Sequence, residues 1–91
     1  LGGDEFVMAL TDMTDEEAFA MGESLRKQVE KTPFHYQTQV LSIHISIGIA
    51  RLSYQDLEKS ESIADADRAL YQAKASGKNR VCLFDDPQRG L

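Results

Sequence analysis

Apolar and polar positions along the chain follow two periods, and each change of period marks a predicted element. Phe6-Val7-Met8-Ala9-Leu10 is a short, continuously apolar run entered from Gly2-Gly3, which predicts a buried strand leaving a tight turn. Thr14-Asp15-Glu16-Glu17 has the form of a capping box, with Thr14 accepting from the backbone N–H three residues on and Glu17 reaching back. Ala18, Met21, Leu25 and Val29 then recur at helical spacing to about Lys31, where Pro33 stops the helix. From Leu41 the period falls to two: Leu41, Ile43, Ile45, Ile47 and Ile49 alternate with Ser42, His44, Ser46, Gly48 and Ala50. Strict alternation of β-branched side chains over residues 41–50 predicts one long strand. Its second face is small or mildly polar, so a packing partner is expected there too, and Gly48 lets a neighbouring backbone approach.

Arg51 to Lys59 reads as a polar connection. A second helix is predicted from Ser60 or Ser62, with Ile63, Ala66, Leu70 and Ala73 as its buried stripe, Lys74 in its last turn and Gly77 as the residue that ends it. Val81-Cys82-Leu83-Phe84 reads as a closing strand, broken by Asp85-Asp86-Pro87. The order β-α-β-α-β predicts an α/β sheet with helices packed on it. Three strands are few for a long strand with two covered faces, which points to further strands upstream. Leu1 in place of Met, directly before a glycine pair, fits the same expectation of a chain cut from something larger.

Composition narrows the function classes. The 91 residues suit one small domain and include no apolar run of the roughly 20 residues that a membrane helix needs. One cysteine, Cys82, cannot form an internal disulfide, which suits a reducing compartment. Ten basic against 15 acidic residues give a net charge of −5, which argues against a non-specific nucleic-acid binder. The charge is uneven: residues 1–31 carry the whole −5, whereas the stretch from Arg68 to Arg80 holds Arg68, Lys74, Lys78 and Arg80 with no acid.

That asymmetry gives the candidate chemistry. Asp4 and Glu5 are hard oxygen donors of the kind Mg²⁺ accepts, and they follow two glycines whose N–H groups are open to a phosphate. Strand neighbours point to opposite faces, so the turn geometry decides which acid meets the site. Asp67, Tyr71, Lys74 and Lys78 form a stripe beside the buried one on the second helix, with two ammonium groups flanking Gly77. On spacing alone, a simple turn and lysines that complement the helix dipole explain these residues better than a metal–phosphate site does. His35 and His44 have no partner at ligand spacing. His44 reads as a packing residue, Cys82 as core, and Tyr71 as a side chain packed at the helix edge.

Three blocks together resemble the GGDEF domains, the diguanylate cyclase family: Gly2-Gly3-Asp4-Glu5-Phe6, Ser46-Ile47-Gly48-Ile49-Ala50, and the run from Ala66 to Val81. The resemblance covers nearly the whole chain in the right order. It implies a nucleotidyl-cyclase or palm-like domain with a central, mostly antiparallel sheet flanked by helices. Residues 1–84 would be its C-terminal portion and 85–91 a tail or the start of a linker.

The implied reaction condenses two GTP into cyclic di-GMP with release of two pyrophosphates, using Mg²⁺ (or Mn²⁺) and two domains facing each other as a homodimer. By the resemblance, Gly2 and Gly3 approach the nucleotide, Asp4 is a metal ligand and accepts the 3′-hydroxyl proton, Glu5 supports the metal or substrate, and Lys74 and Lys78 grip the terminal phosphates. Lys78 stands where the family usually has Arg, which keeps the charge and loses the planar fork. The family's first strand with its second metal-ligating aspartate, its guanine-reading Asn and Asp, and its R-x-x-D product-inhibition site would lie upstream, so the chain alone is expected to be inactive. The alternative is a non-catalytic module that binds GTP or a partner and regulates a neighbour such as a phosphodiesterase domain. A further alternative is a half-domain that oligomerises to cover an exposed sheet edge. The resemblance also implies a cytoplasmic protein, or the cytoplasmic side of a membrane-anchored one, with a sensory domain in the same parent chain.

Overall fold

A computed structural model describes residues 4–52 and 62–84. Gly2, Gly3, the connection 53–61 and the Asp85-Asp86-Pro87 break lie outside the described residues. The elements run β1 (Glu5–Thr11), α1 (Asp15–Lys31), β2 (Phe34–Tyr36), β3 (Gln39–Leu41), β4 (Ser46–Leu52), α2 (Ser62–Ala75) and β5 (Val81–Leu83). The α/β alternation is as the sequence predicts, with a β2–β3 hairpin added between α1 and β4.

The sheet itself corrects an expectation. Its order is β1-β4-β5, and both pairings are parallel, with Glu5 opposite Ser46, Val7 opposite Gly48 and Gly48 opposite Cys82. Among the described residues the central sheet is therefore parallel and not mostly antiparallel. A helix lies on each connection between its strands, and a crossover of that kind returns the chain in the same direction. The antiparallel pair, β2–β3, forms a separate two-stranded sheet.

The expected strand over 41–50 is divided. Leu41 closes β3 and is 44% exposed, and β4 begins at Ser46. The alternation survives the division because Ile43 and Ile45 still reach the core that Ile47 and Ile49 fill. The strand also runs further, so Arg51 belongs to β4 and not to the polar connection. Its guanidinium pairs with Asp15 at 2.5 Å and donates to the Met13 carbonyl at 2.9 Å, which fastens the end of β4 to the start of α1.

Two helices cover the two faces of β4. Thr14 caps α1 as predicted: its hydroxyl accepts from the Glu17 N–H at 3.1 Å and its N–H donates to Glu17 Oε1 at 3.0 Å. That backbone N–H holds the Glu17 carboxyl below its ordinary value. The buried line of α1 differs from the predicted stripe. Ala18 and Gly22 are buried, Val29 packs against the core, and Met21 and Leu25 are 42% and 36% exposed. Small residues at the contact let α1 lie low over Ile49 and Val81, which leaves its bulkier side chains flanking the sheet.

On the opposite face α2 buries Ala66, Ala69, Leu70 and Ala73, while Ile63, expected in that stripe, is 56% exposed. A Cβ at Gly48 would overlap the Ala66 carbonyl oxygen and the Leu70 backbone nitrogen and lie 2.7 Å from Leu70 Cα. The helix backbone thus rests directly on the strand, as the absence of a side chain at Gly48 predicts. The C-terminal end of α2 closes with the Lys78 N–H donating to the Ala73 carbonyl at 2.9 Å and the Gly77 N–H to the Lys74 carbonyl at 3.4 Å. This is the paired closure of a Schellman motif, with Gly77 at φ 130°.

The two glycines predict unequal costs. Gly48→Ala forces backbone against backbone, and the urea midpoint should fall by the equivalent of about 3 kcal/mol or more, at the upper end of overpacking. Gly22→Ala meets side chains and not backbone, the movable Cδ1 end of Ile49 at 2.8 Å and the stiffer Val81 Cγ1 at 2.9 Å. Its loss should be about 1 kcal/mol, measured in the same titration.

Candidate active site

Parallel register partners share a face, so Glu5, opposite Ser46, stands on the same side of the sheet as Gly48 and therefore under α2. The open question of which acid meets the second helix is answered by this register. Lys74 Nζ lies 2.6 Å from Glu5 Oε1, with the Glu5 side chain only 16% exposed. The carboxylate sits at the first residue of β1 and the ammonium in the last turn of α2, close to seventy positions apart in sequence.

A cleft of about 520 Å³ opens around this pair and is lined by Glu5, Asp67, Arg68, Tyr71 and Lys74, with Ala64 and Leu70 at its apolar wall. The Glu5 carboxylate raises the Lys74 ammonium above its usual 10.5, first by its hydrogen bond and then by its charge. The more distant charges of Asp4 and Asp67 act in the same direction. Asp4 is exposed in the turn before β1, and its carbonyl accepts from the Ser46 N–H at 3.0 Å. Asp4 and Glu5 provide two adjacent hard-oxygen donors, which suits a divalent ion that takes its remaining ligands from phosphate and water. Among the described residues no group of three His, Cys, Asp or Glu side chains converges on one point.

The predicted site residues are thus distributed unevenly. Glu5 and Lys74 touch, and Asp4 lies near enough to act on the ammonium. Lys78 is exposed in the loop after α2, at φ 62°, and is not among the residues lining the cleft. Gly2 and Gly3 lie outside the described residues. Tyr71, expected to pack at the helix edge, is instead 73% exposed at the cleft, because α2 turns its alanine face to the sheet. His44 is exposed and not packed, since the alternation that carries it precedes the start of β4. Arg68, which sequence spacing places only in a cationic segment, lines the cleft while its Nη1 pairs with the buried Asp65 at 2.9 Å.

With the site in place, similarity to known proteins decides the family. Residues 1–80 match the family model described as "Diguanylate cyclase, GGDEF domain". The chain belongs to the GGDEF domain family. It is 40% identical over 83 residues to Diguanylate cyclase A of Treponema denticola, covering 90% of this chain and 22% of that protein. It is 32% identical over 84 residues to a diguanylate cyclase of Vibrio cholerae, covering 92% of this chain and 26% of the relative. A third relative, at 33% over 82 residues and covering 88% of this chain and 23% of its own length, is an uncharacterized membrane protein of Staphylococcus epidermidis. The chain therefore spans about a quarter or less of these curated relatives. Among the described residues of this GGDEF chain, no helix is long and apolar enough to cross a membrane.

The Glu5–Lys74 contact predicts a pH dependence. A lysine whose folded value is raised contributes stability that is fully present below its unfolded value, near 10.5, and is lost as pH rises through the higher folded value. A ¹⁵N-detected titration of Lys74 Nζ should therefore end above the ordinary lysine range. In Glu5→Gln the titration should move back toward that range.

Proposed function

We propose that this chain is the C-terminal part of a diguanylate cyclase domain, residues 1–84, followed by a tail or linker, and that its parent protein condenses two GTP into cyclic di-GMP and two pyrophosphates. The observation that carries this reading is the meeting of Glu5 and Lys74 in one cleft, 2.6 Å apart, with the family motif running into the start of β1. An anionic strand start and a cationic helix end supply the two kinds of charge that a metal-bound triphosphate pairs with, the carboxylate with the metal and the ammonium with the phosphate.

In this reading Lys74 and Lys78 hold the terminal phosphates, Gly2 and Gly3 leave room for the nucleotide, and Asp4 accepts the proton of the attacking 3′-hydroxyl. The 3′-oxygen then bonds to the α-phosphorus of the facing GTP and pyrophosphate leaves. Asp4 and Glu5 would hold Mg²⁺ or Mn²⁺, which when bound neutralises charge developing on the phosphate oxygens. Phosphate oxygens entering the cleft compete with Glu5 for the Lys74 ammonium, so the ion pair keeps that cation in place until substrate arrives. Two such domains face each other as a homodimer, because each binds one GTP. The parent would carry a sensory or phosphodiesterase domain and work on the cytoplasmic side of the membrane.

The test is incubation of the full-length protein with GTP and Mg²⁺, with cyclic di-GMP followed by chromatography. Product should form, and Asp4→Ala should lower kcat by about 10²–10⁴-fold, the range of a lost proton acceptor. Lys74→Met should raise KM for GTP by about 10–100-fold, as loss of a charged hydrogen bond does. GTP binding without product would instead identify a regulatory module.

A further inference from the structure

The loop that follows Lys74 is held from outside the cleft by one connected set of hydrogen bonds centred on Asn79. The Asn79 backbone N–H donates to Ser46 Oγ at 3.2 Å, at the start of β4. Its side-chain amide donates to Glu30 Oε2 at 2.9 Å, and its amide oxygen accepts from Arg26 Nη1 at 3.0 Å, both on α1. Arg26 is itself fixed, since its Nε and Nη2 donate to the two Glu23 oxygens at 2.8 and 3.0 Å. Asn79 thereby joins the end of α2 to α1 through its side chain and to β4 through its backbone N–H.

Ser46 extends the set to the acidic turn. It is 4% exposed, and its own N–H donates to the Asp4 carbonyl while its hydroxyl receives Asn79. One residue on, the Ile47 N–H donates to the Arg80 carbonyl at 3.0 Å. A continuous path of bonds therefore runs from Asp4, next to Glu5, through Ser46 to the loop that carries Lys78. The backbone of that loop is unusual as well: Gly77, Lys78 and Asn79 have φ of 130°, 62° and 49°. Two successive non-glycine residues at positive φ persist only where surrounding contacts over-determine them, and Asn is among the residues that tolerate it best.

We infer that Asn79 is a positioning residue. By tying the loop to Arg26 and Glu30 on α1 and to Ser46 on β4, it fixes where Lys74 and Lys78 stand relative to the start of β1. The consequence for substrate rests on the cyclase reading above, whereas the placement of the loop does not.

The experiment uses the full-length protein. Asn79→Gly keeps the positive φ without strain and removes the side-chain bonds, and Ser46→Ala removes the acceptor at the other end of the path. Each should raise KM for GTP about tenfold with kcat within about twofold of wild type, because the loop holds substrate and not the reacting atoms. Amide exchange of the peptide covering 76–81 should quicken about tenfold in Asn79→Gly, with the Ala18–Gly22 stretch of α1 unchanged. A lowered melting temperature with KM and local exchange at wild-type values would overturn the inference. If Asn79→Gly does not fold, the KM of Ser46→Ala decides it. A wild-type protein that makes no cyclic di-GMP ends the cyclase reading, and the exchange measurement still decides the placement of the loop.

Discussion

The seating of α2 on β4 at Gly48 sets the height of everything on that face of the sheet. Because no Cβ stands at that position, the backbone of Ala66 and Leu70 comes down onto the strand, and Ala69 and Ala73 keep the rest of the contact thin. Lys74 follows Ala73 directly, so its ammonium reaches the first carboxylate of the neighbouring strand. A bulkier contact would lift the helix by a layer of side chain and open that distance. Gly22 has the same effect on the other face, where α1 rests on Ile49 and Val81. Close packing of small residues on both sides turns a thin, three-stranded sheet into a rigid base for charged groups.

The charge separation along the sequence is only partly expressed as a site. Three of the eight acids in residues 1–31 are taken up away from the cleft: Asp15 with Arg51, and Glu23 and Glu30 with Arg26. The exposed Asp15–Arg51 pair contributes little by itself. Of the N-terminal carboxylates, Asp4 and Glu5 act on Lys74, and Glu5 is also among the lining of the cleft. The anionic N-terminal segment thus ties α1 to β4 through Asp15 and to the loop after α2 through Glu30, while Asp4 and Glu5 act on Lys74.

Local physics explains which parts of the fold were readable. The capping box at Thr14, the stop at Pro33, the glycine closure at Gly77 and the close approach at Gly48 each depend on a few neighbouring residues, and each appears where the pattern places it. The division of the 41–50 segment was not readable, because two extended stretches separated by a short break show the same alternation as one strand. The antiparallel sheet that the resemblance implies differs from the parallel pairings because alternation within a strand is the same whichever way its neighbour runs, and only pairing settles direction.

Side-chain type and short spacing are enough for the two main helices, their C-terminal ends, the apolar residues of the core and the motif that identifies the family. Tertiary structure decided that Glu5 and not its neighbour meets Lys74, that Lys78 stands outside the cleft lining, and that Asn79 joins three elements. Those outcomes depend on strand register, on how low a helix sits and on which distant residues a loop touches. No local spacing encodes them, because each is fixed by contacts between segments tens of residues apart.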